Sequence, residues 1–145
     1  MSEMGLKDKE TNGCLPEATS SKESCGCGNR QVILYSCAGG SNVGYGSYEA
    51  ARRLVRAGKG KLACLAGVGG HVPVMVRTAQ EAEVVVCIDG CGVACAKRAL
   101  EHIDAQPDIH VIVTDMGIKK NYVLELKEEE VQKIVDKIEV ELEKR

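Results

Sequence analysis

Apolar residues along this chain fall in short runs separated by glycine-rich or charged stretches, and the period changes from run to run. QVILYSC, residues 31–37, and EVVVCI, residues 83–88, are nearly continuous apolar runs of strand length, the pattern of strands buried on both faces. HVIVTD, residues 110–115, reads the same way, KLACL, residues 61–65, predicts a shorter strand, and a further short strand is expected at Tyr122 to Leu126. Between them the spacing predicts helices over Tyr48 to Ala57, Val74 to Ala82 and Val93 to Ile103. Arg52, Arg53 and Arg56 near the end of the first helix, and Gly58 just past it, fit the helix C-terminus. A final helix is expected over Glu128 to Arg145, where Val131, Ile134, Val135, Ile138 and Leu142 make one apolar stripe. Glu129 with Lys133, and Glu141 with Arg145, are spaced as ion pairs on its solvated side. CAGGSNVGYGS after the first strand and AGVGG after the second read as glycine-rich loops.

Strands that alternate with helices imply an α/β fold: a three-layer, Rossmann-like sandwich with a mostly parallel sheet of 4–5 strands. Residues 1–29 are polar, carry charges of both signs and lack apolar periodicity. They read as a flexible cysteine-containing N-terminal tail, ahead of an α/β domain over residues 30–145.

Composition narrows the functional classes. With no Trp, no Phe and four Tyr, the core is aliphatic, and stacking platforms for bases are not expected. A net charge of −2 leaves no basic footprint for nucleic acid. No apolar run approaches the roughly 20 residues that span a bilayer, and the N-terminus has no signal-like apolar region. A cytoplasmic protein is expected, without nucleic-acid or membrane partners. Eight cysteines in such a chain call for metal binding or thiol chemistry rather than structural disulfides.

The predicted strands place those cysteines. Cys37 ends the first strand, Cys64 the second, Cys91 follows the third, and Cys95 stands four residues on in the next helix. In a parallel sheet all four converge on the carboxyl edge, and four thiolates match the ligand count of a closed tetrahedral zinc site. Cys91 is expected at a helix N-terminus, whose partial positive charge favours a thiolate. Lys97, Lys119 and Lys120 are candidates to offset the net negative charge of such a site. Asp89 is expected to cap the following helix. Cys87, inside VVVCI, reads as an inert core thiol. Cys25-Gly26-Cys27 and Cys14 lie in the tail with an accessory role at most. His71 sits on the same edge as a loop residue or an alternative ligand, and His102 and His110 carry no assigned function.

The glycine-rich loop after Cys37 has neither the lysine of a phosphate-binding loop nor the spacing of a dinucleotide fingerprint. Its glycines let the turn pass close to a metal, with Ser41 and Asn42 as candidates to hold a small anionic ligand. Two rivals to zinc remain. The same thiols could hold an iron–sulfur cluster or pass electrons or sulfane sulfur. A thiol enzyme acting on a small oxyanion, with Cys37 or Cys91 as nucleophile, would need an arginine closing the loop after Cys37 to clamp the anion, and none follows Cys37 before Arg52.

VILYSCAGGSNVGYGSYEAARRL, CLAGVGG, IDGCGVACAKRAL and HVIVTDMGIKK, taken in order, resemble the DGC domain family, named for its central Asp-Gly-Cys. The resemblance covers roughly residues 31–121. It implies a zinc-binding domain with four chelating cysteines, which map here onto Cys37, Cys64, Cys91 and Cys95.

Overall fold

β1 (Val32–Ser36) and β3 (Val84–Asp89) are the most apolar segments of the chain, and burial of both their faces places them at the centre of the sheet. In the computed structural model, which describes residues 30–145, they pair in parallel from Val32 opposite Val84 to Ser36 opposite Ile88. β2 (Lys61–Leu62) pairs with the free side of β1, and β4 (Ile109–Ile112) with the free side of β3. The order is β2-β1-β3-β4, all parallel, so this is the expected α/β sandwich. The tail and its three cysteines lie outside the described residues.

Alternate residues of each strand feed two separate cores. Leu34, Val86, Ile88, Ile109 and Val111 face α1 (Asn42–Arg56) and α5 (Glu128–Glu143), meeting Val43, Leu54, Ile134 and Ile138. Ile33, Tyr35, Val85 and Cys87 face α2 (Leu65–Gly69), α3 (Pro73–Gln80) and α4 (Cys95–Glu101), meeting Val68, Ala79 and Leu100. The stripe expected on α5 is the buried one, with Leu142 partly buried. Its ion pairs differ from expectation: Lys133 donates to the Met116 carbonyl, Glu141 pairs with Lys137 and Lys144, and Arg145 pairs with Asp108.

Three further departures have physical causes. α1 begins at Asn42, six residues before the expected start, because Ser41 Oγ caps it by accepting the Gly44 N–H at 3.2 Å. Its glycines are there for contact: a Cβ on Gly46 would lie 2.0 Å from Leu126 Cδ1. AGVGG contributes to helix α2 rather than a loop, started by Cys64, whose Sγ accepts the Gly67 N–H at 3.4 Å. Tyr122 to Leu126 forms no strand: Tyr122, Val123 and Leu124 are exposed, and the segment follows the turn that β4 enters through a 3-10 helix, Val113–Met116.

Glu49 ties the α1–α5 layer together. This buried carboxylate accepts from Arg52 Nε and Nη2 at 2.8 and 2.7 Å and from Arg53 Nε at 3.1 Å, and Arg53 reaches on to Glu128 at the start of α5. The Arg52 guanidinium, helped by Arg53, holds the Glu49 carboxyl down at about 2. The chain ends of the domain also meet, since the Arg30 guanidinium donates to the Arg145 carbonyl. A depressed carboxyl stabilises the fold above its ordinary pKa of 4.5 and loses that contribution as pH falls toward 2. Glu49→Gln is therefore expected to cost about 1–2 kcal/mol at neutral pH, a Tm loss of ~5 °C, and to flatten the loss of stability on acidification. Thermal unfolding by circular dichroism across that pH range measures both.

Candidate metal centre

Sheet order fixes where a ligand can approach. The chain leaves β1 toward β2 on one side and returns as β3 on the other, so the crevice between the β1 and β3 carboxyl ends is the switch point at which open α/β sheets bind ligands. Cys37 follows β1 directly there, and its N–H donates to the Ile88 carbonyl at 2.9 Å. Asp89-Gly90-Cys91 ends β3 beside it, and the Gly90 N–H donates to Cys37 Sγ at 3.0 Å. Glycine is required at position 90: a Cβ would lie 2.7 Å from Gly44 N and from the Val43 carbonyl carbon, in the first turn of α1. Ser47, one turn further into α1, places its Oγ 3.5 Å from Cys37 Sγ.

The other thiols stand just past a strand end or at the start of the next helix. Cys64 caps α2 and is exposed, and Cys91 is half-buried, with Lys120 Nζ 3.6 Å from its sulfur. Cys95, exposed, is the first residue of α4. The helix expected from Val93 thus starts later, and Cys91 belongs to the preceding turn, closed by the Ala94 N–H to Cys91 carbonyl bond of 3.0 Å and the left-handed backbone of Ala94 (φ 54°). The helix terminus expected at Cys91 belongs instead to Cys95. Donor chemistry fits zinc, because all four are free thiols at loop or helix-start positions. Among the described residues, no three of these sulfurs stand within 4.8 Å of one another. Closure on a zinc ion would draw them to about 3.8 Å apart.

Ser41 and Asn42 are engaged within the chain. Ser41 caps α1, and buried Asn42 clips the segment after the 3-10 helix: its Nδ2 donates to the Lys119 carbonyl at 2.9 Å and its Oδ1 accepts the Asn121 N–H at 2.7 Å. That clip sets where Lys120 stands beside Cys91. Of the other expected charge partners, Lys97 pairs with Glu101 on α4. His71, at the end of α2 with a left-handed φ of 54°, stacks edge-on against His102 at 5.1 Å between ring centres, at the far ends of α2 and α4 from Cys64 and Cys95.

The residue holding this end of the sheet together is Asp89. Fully buried, its carboxylate accepts the Ala96 N–H at 2.8 Å and the Lys97 N–H at 3.1 Å, so it caps α4 as expected, but from the end of a strand. Ala94, the residue at the cap position, supplies no side-chain bond. The same carboxylate lies 3.0 Å from His110 Nε2 on β4 and 3.4 Å from Cys87 Sγ. These three side chains are the group, among those described, whose donor atoms all fall within 4.8 Å, a spacing one cation could bridge. Sequence reasoning passed over His110 and treated Cys87 as inert. The available signal was Cys87-x-Asp89, two residues on one strand face, with His110 as the polar interruption in the apolar run of the neighbouring strand.

The DGC domain profile matches residues 33–138, from β1 to α5. The chain belongs to the DGC domain family. A curated DGC relative, the "Anaerobic and virulence modulator AnvM" of Pseudomonas aeruginosa PAO1, is 38% identical over 90 residues, which is 62% of this chain and 69% of that protein. No solved structure matches the chain. Among the described residues no helix is long and apolar enough to cross a membrane. In this DGC domain the Asp of the eponymous triplet caps a helix, the Gly admits α1, and the Cys packs at the edge of the α1–α5 core beside Lys120. Asp89→Ala leaves two amide groups unpaired at the start of α4 and is expected to cost about 2–4 kcal/mol, measured by urea unfolding. Gly90→Ala forces backbone against backbone and is expected to cost about 1–3 kcal/mol by the same measurement.

Proposed function

We propose that this protein is a zinc-binding, metal-handling or structural domain whose site is built from Cys37, Cys64, Cys91 and Cys95. What supports this reading is placement: three βα junctions of one parallel sheet each carry free thiols at or just past the carboxyl end of a strand. Positive groups are at hand for thiolate charge, namely the Gly90 N–H on Cys37 and the Lys120 ammonium on Cys91. The resemblance to a zinc-binding family supports the same set. In this reading Ser41 and Asn42 serve the site as cap and clip. Zinc would supply a tetrahedral thiolate centre that pins α2 and α4 to the end of β1. A centre with all four positions filled by sulfur favours structure or metal handling over catalysis.

The second reading, a thiol-redox or iron–sulfur protein, is favoured by the exposed Cys64 and Cys95 and by the relative's description as an anaerobic modulator. Metal analysis of protein purified with and without oxygen separates the two. The zinc reading expects at least one equivalent of zinc under both conditions, a colourless protein, and about one equivalent lost in each single Cys→Ser variant at the four positions, with a parallel fall in Tm. A brown anaerobic preparation, or less than half an equivalent of zinc in both, overturns it.

A further inference from the structure

The polar group beneath α4 is unusual in its setting. Tyr35, Cys87 and His110 are register partners across β1, β3 and β4, and Asp89 follows Cys87 on the same strand face, inside an otherwise aliphatic layer. Cys87 and Asp89 are fully buried, while the His110 side chain keeps 20% exposure at the sheet edge. We propose that Cys87, Asp89 and His110 form a second metal site, for a single divalent transition ion, separate from the four thiols of the crevice.

Chemistry selects the ion. One sulfur, one carboxylate oxygen and one imidazole nitrogen suit a borderline cation such as zinc, cobalt(II) or iron(II), and disfavour magnesium or calcium. Charge selects it too. A dication with one thiolate, one carboxylate and a neutral imidazole sums to zero, the combination that a buried site tolerates at least cost. The carboxylate is already oriented, because the Ala96 amide holds its Oδ1 and the Lys97 amide holds one side of Oδ2, as outer-shell partners orient a metal ligand. Its Oδ2 stands 3.0 Å from the imidazole nitrogen and 3.4 Å from the sulfur, close to the separations of donors that share a tetrahedral ion. Three protein ligands leave one position open. Tyr35, the register partner of Cys87 on β1, has a buried hydroxyl with no hydrogen-bond partner, a further unmet polar group in this layer.

Binding exchanges hydrogen bonds for coordination. The Cys87 S–H bond breaks and its proton leaves to solvent, while the pair of electrons stays on sulfur to form the metal bond. The His110 proton held between Nε2 and Asp89 moves to Nδ1 by exchange with water, which frees Nε2 as the ligand. No electron is transferred. The part-exposed imidazole is the side from which the ion enters.

Anaerobic titration of metal-stripped, full-length protein with cobalt(II) tests the assignment, read by bound metal and by the sulfur-to-cobalt absorption band. His110→Gln is the main variant, since glutamine can keep the hydrogen bond to Asp89 but is a poor ligand, and Cys87→Ser is the second, with far-ultraviolet circular dichroism as the check on folding. The expected result is one cobalt equivalent lost in both variants and kept in Cys91→Ser. If the four-cysteine site is wrong and this one right, the wild type binds one cobalt, which disappears in His110→Gln. Equal cobalt content and equal spectra in the wild type and a folded His110→Gln overturn the proposal.

Discussion

A single buried carboxylate holds the working end of this fold. Asp89 accepts two amides of α4, an imidazole from β4 and a thiol from its own strand, so one side chain joins β3, β4 and α4 at the same point. A carboxylate removed from water persists only if its oxygens are fully engaged. This one is, and no residue at the helix cap duplicates it. The position of Cys95 follows from that anchor, and the position of Cys91 from the turn it begins. On the opposite face the Glu49–Arg53–Glu128 chain performs the corresponding task for α1 and α5.

Two scales of contact converge on the crevice. At long range, strand order places the ends of β1 and β3 side by side. At short range, Gly90 lets the first turn of α1 lie against β3, and Asn42 fastens the segment that carries Lys120. Cys37 and Cys91 are positioned by these backbone contacts together with packing against the two cores, Cys37 on the α2–α4 side and Cys91 on the α1–α5 side.

Much of this was legible in the sequence because burial writes itself as apolar runs. β1, β3 and the stripe of α5 are dictated by the hydrophobic pattern, and parallel pairing follows from the alternation with helices. The start of α1 was hidden because Gly44 and Gly46 look like loop residues. They are helical, and their lack of a side chain answers to Gly39 and Leu126, which are distant in sequence or on another element. Tyr122 to Leu126 misleads for the opposite reason, since Tyr122, Val123 and Leu124 stay in solvent and Leu126 alone packs on the core. Strand ends and helix starts make the four thiols candidates, although no three of their sulfurs stand within 4.8 Å of one another among the described residues. His110 was not legible, because its meaning depends on the register of β4 against β3, a long-range fact.

The meeting of Arg30 with Arg145 has a practical side. β1 runs from Arg30's end of the sheet toward Cys37, so both ends of the folded domain sit at the pole away from the thiol crevice. Adjacent ends make the domain a natural candidate for circular permutation and for insertion into a host loop. The same geometry lets it be tethered to a surface or a reporter through either end, with the crevice turned toward solution.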